Sequence, residues 1–586
     1  MLDIVRDSVF GQAVNYLSKG RYLPFADQRP DYVFPARCNL CTREPSTVDA
    51  TPKDTPALTP VAGSFVEGIP RAEAGEPAEW EKEKDVGAAG TKGATLPCPH
   101  ANLVTFAPND PDNPKNWSLG KRLWVTFEIN YLAFSVYIGS SIYTSSQPGL
   151  MEEFGVSETV AILGLSLFVV GYGVGPMFLS PLQESPRFGR SIIYWITLAL
   201  YIILQIPILV PPNFGTILAF RFLTGFIGSP SIATGIASLT DVWGPLELPY
   251  AVGIWSVAAV CGPILGPVIG GFAAQANGWR WPLYELLWMC GFALLLFTFF
   301  LPETYADTIL HRRAARLRNM TGNPHLRTEH DLSADADVSL VRVGWNQIIM
   351  ACKLSIQPAV LYTNIFIGLV YALLYLFFES IPYVFSHLHG FNLGVSALPF
   401  LSFFVTGIGT LTVYILYYKW RFNPLQVRSN FSLPPEANLE LALWASPWIP
   451  ISLFVFGWTG NSPDTHWIWP TIGAGLYFPG LFILFQSVLL YLATSYPSVA
   501  ASIIASNSLV KSAMAAAFPL FGRPFFSNLG VGPACSILGG ISILLTIPLF
   551  FLYRYGHRMR AMSKYGETNA TAEVVEPAAL TGTSPV

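Results

Sequence analysis

Twelve long apolar segments limit what this chain can fold into. Each is about 20 residues long, which is the length an α-helix needs to cross the hydrocarbon core of a bilayer. Charged residues make up 12% of the 586-residue chain, whereas soluble domains carry about 25%. The sequence therefore predicts an all-α membrane protein with twelve transmembrane helices. The apolar segments are 122–145, 158–181, 191–210, 215–240, 250–273, 282–301, 357–380, 393–418, 441–460, 467–492, 497–520 and 533–553.

A polar stretch, 302–356, separates the sixth apolar segment from the seventh. This layout predicts two six-helix halves, 122–301 and 357–553, joined by a central loop. Transporters built from repeated halves have this arrangement. The polar ends of the chain are an N-terminal extension, 1–121, and a C-terminal tail, 554–586.

Basic residues gather in the loops on one side of the predicted membrane. Because short cytosolic loops carry an excess of Lys and Arg, this side is predicted to be cytosolic, together with both termini and the central loop. The basic residues on this side include Lys121, Arg122, Arg187, Arg190, Arg312, Arg313, Lys419, Arg421, Arg554 and Arg558.

The N-terminal extension is rich in Pro, Ala, Gly, Glu and Thr from about residue 24 to residue 108, a composition typical of disorder. Before this stretch, apolar residues recur at helical spacing, which predicts a short amphipathic helix. Three placements suit that helix: on the membrane, docked on the helical body, or packed on another surface. Its apolar residues are Val5, Val9, Phe10, Val14 and Leu17.

The sequence predicts no metal site, no cofactor and no enzyme. Cys38-x-x-Cys41 and Cys98-Pro-His100 have no second pair at the spacing of a zinc module. The chain has no G-x-x-x-x-G-K-[ST] phosphate loop, no H-E-x-x-H and no G-x-S-x-G. A net charge of −3 and the lack of a basic domain argue against a nucleic-acid partner.

The fifth apolar segment contains GIWSVAAVCGPILGPVIGG (253–271). Glycine at every fourth position gives a helix a side-chain-free stripe that lets another helix approach closely, and proline withholds a backbone donor and bends the helix. The pattern resembles the antiporter motif in the fifth spanning helix of major facilitator superfamily exporters. Ordinary small-residue packing is the alternative. The motif residues are Gly253, Gly262, Pro263, Gly266, Pro267, Gly270 and Gly271.

The loop after the second segment reads PLQESPRFGR (181–190). It resembles the G-x-x-x-D-R-x-G-R loop of the same family, although Pro186 stands at the acidic position. The resemblance implies a conformational latch whose charges pair in one state only. Anchoring by positive charge on the cytosolic side is the alternative. The latch residues are Glu184, Arg187, Gly189 and Arg190.

Two charged residues inside the predicted spans are proton-coupling candidates, because an unpaired charge in a membrane is costly. Arg221 and Gly225 match the R-x-x-x-G motif of the family's fourth helix, and this resemblance implies a role in proton transfer. Snorkelling of Arg221 to the outer surface is the alternative. Glu128 is the second candidate, or else an interfacial charge partnered by Arg122.

Other ionisable residues in the spans receive weaker assignments. Glu285 and Glu379 lie near outer helix ends, which predicts interfacial placement. Lys511 lies deeper, as a cation in the pathway or as a side chain that snorkels outward. Many members of the family resembled have an acidic Y-L-x-D-x-Y phrase where this chain has YLATSY (491–496), so the coupling role of that acid cannot be carried over.

Aromatic and amide side chains form a candidate substrate cavity. Broad-specificity sites in helical bundles are mostly apolar and aromatic, with few polar anchors. An aromatic stripe at helical spacing also suits packing or lipid contact, so both interpretations stay open. The candidates are Tyr371, Tyr375, Phe378, Gln486 and Asn507.

Several phrases occur in the order seen in the fungal multidrug-resistance branch of the twelve-span drug:proton antiporters, which they resemble. They include NPKNWS (113–118), NGWRWPLYELLW (277–288) and LPETYADTIL (301–310). The resemblance implies a monomer in the lipid bilayer of the plasma membrane, or of the vacuole. It would export small hydrophobic or amphipathic compounds, such as drugs or fungal toxins, by alternating access, with protons as the energy source. An importer or facilitator of a sugar or polyamine, or a transport-inactive sensor or scaffold, is the alternative.

Overall fold

A computed structural model describes residues 2–18, 21–28, 103–332 and 340–561. Within these ranges the chain is helical and forms no strand. Most of the N-terminal extension, including the Cys38-x-x-Cys41 and Cys98-Pro-His100 patterns, lies outside the described residues.

Twelve long helices occupy the apolar segments, which confirms the twelve-span architecture. Eleven of them are long and apolar enough to cross a membrane. The first has 23 residues and is about 34 Å long at 1.5 Å per residue. Spans 1 to 12 are Leu119–Ser141, Glu158–Gln183, Arg190–Leu209, Phe214–Val242, Leu248–Asn277, Trp281–Phe300, Pro358–Leu388, Val395–Arg428, Pro435–Thr459, Ile468–Ser495, Ala500–Leu529 and Val531–Ala561.

Polar caps and left-handed glycines mark the ends of several spans. The Ser118 side chain accepts a hydrogen bond from the backbone three residues on, and Asn213 does the same at the start of span 4. Gly278, with φ of +89°, follows span 5 and adopts a backbone conformation that glycine favours. We call the face that holds the N-terminal helices and residues 303–332 the terminal face, and the opposite face the distal face.

The glycines of span 5 form a close-packed seam with span 1 inside the first half. A Cβ placed on Gly262 would lie 2.9 Å from the Phe134 carbonyl oxygen, and one on Gly266 would lie 2.1 Å from Ser141 Oγ. A Cβ on Gly270 would lie 2.9 Å from the Ile142 side chain, in the turn that directly follows span 1. Only glycine therefore lets the two helices approach this closely.

Two other glycines of the motif face the second half. A Cβ on Gly253 would lie 2.9 Å from the Tyr414 ring of span 8, and one on Gly271 would lie 3.2 Å from the Leu393 carbonyl oxygen. The motif thus serves two surfaces. Its central glycines hold span 5 to span 1, and its outer glycines let span 5 run close to span 8.

Two N-terminal helices, Leu2–Asp7 and Val9–Leu17, dock on the first half at the terminal face. The ring of Phe10 lies 5.1 Å from the ring of Phe299 in span 6, centroid to centroid. Of the three placements that the sequence left open, the structure shows docking on the helical body.

A linker helix, Ala306–Thr321, holds the N-terminal region through buried ion pairs. The Arg313 side chain, which is 2% exposed, lies 2.6 Å from the Asp110 carboxylate and 2.7 Å from the Asp112 carboxylate. Burial alone would raise the pKa of Asp110, but hydrogen bonds from Arg313 and from the backbone, together with the Arg313 charge, bring that pKa below its ordinary value. The first half, the N-terminal helices and the linker helix form one packed unit.

The stretch 302–356, predicted as a central loop, also contains the helix Leu340–Ser355. This helix contacts spans 2 and 11 at the terminal face. The Ser355 hydroxyl lies 2.5 Å from the Ser506 hydroxyl of span 11. The connection between the halves is therefore largely helical in its described part.

Gly266→Ala is expected to destabilise the protein by about 1–3 kcal/mol. The new methyl group would lie 2.1 Å from Ser141 Oγ and 2.8 Å from the Ile142 backbone nitrogen, and a helix backbone cannot move aside independently. Thermal unfolding of the purified protein measures the effect. Gly409→Ala in span 8 is the control, because a Cβ there meets no atom within 4 Å. Equal midpoints for the two variants would show that the seam is not close-packed.

Arg313→Gln is expected to loosen the N-terminal helices, because it leaves the buried Asp110 carboxylate without its cation and leaves Asp112 with Arg6 of those helices at 3.5 Å, at a cost of about 3–5 kcal/mol. Limited proteolysis should then cleave residues 2–28 faster than in the unaltered protein. Arg318→Gln is the control, since Arg318 is 30% exposed and pairs with Asp331 at the edge of the linker helix. Identical cleavage of the two variants would contradict a holding role for Arg313.

The docking should also weaken in acid. Because the pKa of Asp110 is lowered in the folded protein, its contribution is complete at neutral pH and is lost as the pH falls below the ordinary value of 3.8. Protease protection of residues 2–28 measured against pH, with an acid-stable protease, reports this loss.

Candidate functional site

Four tyrosines meet between the two halves, and we call Tyr137, Tyr172, Tyr371 and Tyr375 the tyrosine cluster. The hydroxyl of Tyr137 in span 1 lies 2.5 Å from that of Tyr371 in span 7. The hydroxyl of Tyr172 in span 2 lies 3.0 Å from that of Tyr371 and 3.3 Å from that of Tyr375. All four side chains are buried, and buried hydroxyls need such partners. The cluster therefore fastens span 7 to the first half.

Three of the predicted cavity residues share one face of span 7. Tyr371 and Tyr375 are four residues apart and therefore project to the same side of the helix, where both join the tyrosine cluster. Phe378 lies one turn further along and contributes to the wall of a cavity. The alternative of lipid contact does not apply to these three side chains, because each is 4% exposed or less.

A cavity of about 160 Å³ lies between the halves on the distal side of the tyrosine cluster. Sites for drug-sized ligands measure about 300–1,000 Å³. In this conformation the space suits water or a small fragment, so a larger substrate requires the halves to separate. The wall residues include Gln147, Glu158, Phe378, Glu379, Tyr383 and Arg523.

The two predicted amides have different surroundings. The Gln486 side chain of span 10 donates a hydrogen bond to Ser256 Oγ of span 5, across the two halves. The Asn507 side chain donates to Asn364 Oδ1 at 3.1 Å, within the second half. The structure therefore places Gln486 between the halves and Asn507 in the contact between spans 7 and 11.

Polar contacts join the halves at both faces. Toward the terminal face, Asn423 Nδ2 donates to the Tyr250 hydroxyl at 3.0 Å. Toward the distal face, Arg523 pairs with Glu158, and Gln275 accepts a hydrogen bond at 2.8 Å from the backbone just before span 8. In this conformation these contacts hold the two halves together at both faces.

Arg221 of span 4 is fully buried inside the first half. Its guanidinium donates to the carbonyl oxygens of Gly164 at 3.0 Å, Gly139 at 2.8 Å and Ser140 at 3.3 Å. Two aromatic rings flank it at 4.6 and 4.5 Å, a favourable cation–π arrangement. Among the described residues no carboxylate pairs with it, and its burial argues against snorkelling.

Ser140 connects Arg221 to the tyrosine cluster. Its carbonyl oxygen accepts from Arg221, and its hydroxyl accepts from the Tyr375 hydroxyl at 3.2 Å. Gly225, the glycine of the R-x-x-x-G motif, has a packing role, because a Cβ there would clash with the Phe168 carbonyl oxygen of span 2. Spans 1, 2 and 4 thus meet at Arg221, and the Ser140 hydroxyl connects this point to Tyr375 of the second half.

Glu128 of span 1 is fully buried, and neither carboxylate oxygen has a hydrogen-bond partner in the part of the chain that the structure describes. Arg122, the partner considered from the sequence, pairs instead with Glu247 at 2.7 Å. No hydrogen bond or ion pair joins Glu128 to Arg221 within the described ranges. A buried carboxyl in a membrane helix without a cation remains a candidate for proton binding.

Two residues given weaker assignments lie at the contact between the halves. The Lys511 ammonium sits 4.8 Å from the Tyr371 ring centroid and 4.7 Å from that of Phe485, and its side chain is buried rather than directed outward. Glu379 is 8% exposed and lines the cavity, and span 7 continues beyond it past Pro382 to Leu388. Its interfacial placement stays a prediction.

The loop between spans 2 and 3 is held by acids that the sequence analysis missed. Arg190 lies 2.5 Å from Asp241 at the end of span 4, and its backbone nitrogen donates to Glu303 at 2.9 Å. Gly189 has φ of +78°, and a Cβ there would lie 2.3 Å from Glu303 Oε2. Glu184 and Arg187 are exposed, and neither forms an ion pair with the described residues.

The sequence position of the two acids that pair with this loop was a recognisable signal. Asp241 and Glu303 both follow apolar segments that end on the side of the basic loop, which is where its arginines need partners. Tyr137 and Tyr172 carried no comparable signal, because their meeting with span 7 depends on how the two halves pack.

The helix order, the seam between spans 1 and 5 and the buried Arg221 can be compared with known proteins. A model of the Major Facilitator Superfamily matches residues 130–519. The chain is 42% identical to Transporter mfs1 of Schizosaccharomyces pombe over 79% of this chain and 88% of that protein. The chain belongs to the major facilitator superfamily.

Other similarities agree with this assignment. The chain is 34% identical to the Cycloheximide resistance protein of Candida maltosa, over 96% of this chain and 100% of that protein. A crystal structure of the peptide transporter POT in complex with sulfate superimposes with a TM-score of 0.53, covering 76% of this chain and 97% of that one, at 15% identity. The structural likeness shows the major facilitator fold alone.

In this major facilitator, the predicted site residues fall into three groups. Arg221 and the cluster tyrosines lie in one connected network at the contact between the halves. The glycines of span 5 hold helices together, and the basic loop is tied to the terminal ends of spans 4 and 6. Glu128 and Asn507 lie outside the network that the described hydrogen bonds define.

Arg221→Gln is expected to destabilise this major facilitator by about 2–4 kcal/mol, because it leaves buried carbonyl oxygens without donors. Thermal unfolding measures the loss. The matched control is Arg122→Gln, whose pair with the half-exposed Glu247 is worth about 1 kcal/mol or less. If the two variants unfold together, the carbonyl contacts of Arg221 do not support the first half.

Proposed function

We propose that this chain is a proton-coupled exporter of small hydrophobic or amphipathic compounds, such as drugs or a fungal metabolite, working by alternating access. The observation that carries the proposal is the aromatic and polar network between the halves, with Arg221 and Lys511 buried beside it. The name of the Candida maltosa relative, a cycloheximide resistance protein, supports export of such compounds.

The character of the substrate is proposed from the aromatic surface between the halves. Tyr371, Tyr375 and Phe378 lie on one face of span 7 at this contact, and aromatic surface suits hydrophobic or amphipathic compounds. A sugar or polyamine carrier is the alternative, because the cavity wall also carries polar and charged side chains, among them Gln147, Glu158, Glu379, His387 and Arg523.

The energy source proposed is the proton gradient, with no bound cofactor and no chemical reaction at the site. Buried ionisable groups in membrane helices are typical of proton and substrate pathways. The basic loops at the terminal face support a cytosolic terminal face with both termini inside. The protein is further proposed to act as a monomer in the plasma membrane.

Cells that lack their own drug pumps provide the test. Energised cells that express the chain should retain less of a preloaded fluorescent hydrophobic dye than vector cells, and a proton uncoupler should abolish the difference. Equal retention with and without the chain, for a panel of such dyes, would contradict export.

Gly262→Val is expected to abolish this efflux while the protein remains in the membrane, because a Cβ there already lies 2.9 Å from the Phe134 carbonyl oxygen and 3.0 Å from the Ile138 nitrogen. Gly291→Val in span 6 is the matched control, since a Cβ there meets nothing within 4 Å. Dye efflux normalised to the amount of protein in the membrane compares them. Full efflux by Gly262→Val would show that the seam is ordinary helix packing with no role in transport.

A further inference from the structure

Glu379 lines the cavity between the halves without an ion-pair partner among the described residues, whereas Glu158 of span 2, which also lines it, pairs with Arg523. Glu379 is 8% exposed, its Oε1 atom has no hydrogen-bond partner in the described ranges, and it lines the distal cavity. It is one helical turn beyond Tyr375 of the tyrosine cluster. A Cβ on Gly522 of span 11 would lie 3.5 Å from the Glu379 Cβ, so span 11 packs directly against it.

The charged groups around this end of span 7 are already engaged with one another. Arg523 of span 11 pairs with Glu158 of span 2 and lies 2.5 Å from the His387 ring nitrogen. Lys511 is 12 residues deeper on span 11, which is about 18 Å along the helix axis. Glu379 itself has no ion pair among the described residues.

Within the part of the chain that the structure describes, the other elements packed against span 7 bring no charged partner to this position. Span 10 contributes Tyr477, whose hydroxyl binds the Val370 carbonyl oxygen deeper in span 7. The distal half of span 12 contributes Cys535 as its ionisable side chain, and the turn Val395–Phe400 contributes none. Glu379 therefore faces the cavity on one side and packed helices on the others.

We propose that Glu379 is the proton-binding group of the distal cavity, and that its protonation permits the halves to close there. The proposal rests on the proposed function, which it deepens by assigning the outer proton site. The proton comes from water on the distal side and binds a carboxylate oxygen of Glu379. When the halves close, the cavity loses water, and an unpaired carboxylate then becomes costly, whereas the neutral acid does not.

The same geometry explains how the proton would affect transport. Span 7 carries both Glu379 and the two cluster tyrosines that bind spans 1 and 2. A change that allows span 7 and span 11 to close over the cavity also favours the hydrogen bonds of the tyrosine cluster. Protonation would thus select one conformation, as a ligand selects the state that binds it better.

Cavity accessibility tests the proposal without any transport measurement. Ser145 lines the cavity and is 7% exposed, so Ser145→Cys in the full-length protein provides a thiol whose labelling by a water-soluble maleimide reports opening. A maleimide reacts with the thiolate, whose fraction rises with pH, so each rate is divided by the rate of the same thiol in the denatured protein at that pH. The corrected rate should be about fivefold or more faster at about pH 8 than at about pH 5.5 in this background, and with Glu379→Gln it should be slow at both pH values. Mass spectrometry of the labelled peptide separates this thiol from the natural cysteines.

Two matched variants separate Glu379 from its neighbours. Glu158→Gln and His387→Gln should each keep the pH dependence of Ser145→Cys labelling. The proposal is overturned if Glu379→Gln keeps the pH dependence, if His387→Gln removes it instead, or if the parent protein shows none. Dye efflux is measured separately, so a pH-dependent cavity without efflux would reject the exporter function and leave the proton site intact.

Discussion

The hydrocarbon core of a bilayer offers no hydrogen-bond partners, so each polar group of a spanning helix must find one inside the protein or face a water-filled space. Arg221 shows the first solution. Its guanidinium binds three carbonyl oxygens from spans 1 and 2. Glu379 shows the second, because it faces a cavity. The position of nearly every buried polar side chain described above follows from one of these two solutions.

Two of the three carbonyl oxygens that bind Arg221, those of Gly139 and Ser140, are available because span 1 changes geometry at its distal end. Its α-helix ends at Ser141 and continues as a 3-10 turn to Ser146, and the last carbonyls of an α-helix lack partners within the helix. The same region packs against Gly266 and Gly270 of span 5. The close approach of span 5 and the binding of Arg221 therefore depend on one another through the end of span 1.

The sequence was sufficient for the number and order of the twelve spans, because hydropathy and length respond directly to the bilayer. It did not locate every boundary, since spans 7, 8, 11 and 12 extend to Leu388, Arg428, Leu529 and Ala561. It also singled out Arg221, because a charge inside an apolar span is conspicuous. The shared face of Tyr371 and Tyr375 was predictable from their helical spacing. The sequence could not supply Tyr137 and Tyr172 as their partners, because that contact depends on how two independent halves pack. The end of span 7 was predicted too early, because the continuation of the helix past Pro382 to Leu388 is not evident from local composition.

The polar contacts described between the halves are few, in contrast to the glycine seam that binds span 5 to span 1. A neutral hydrogen bond contributes about 0.5–1.5 kcal/mol, and a pair about one-third exposed, such as Arg523 with Glu158, contributes about 1 kcal/mol or less. Moving one elementary charge through a membrane potential of 100 mV releases about 2.3 kcal/mol. Breaking the polar contacts described on one face thus takes energy of the same order as moving one or two charges through that potential. If protons drive transport as proposed, the cell's ordinary membrane voltage is sufficient to break these polar contacts.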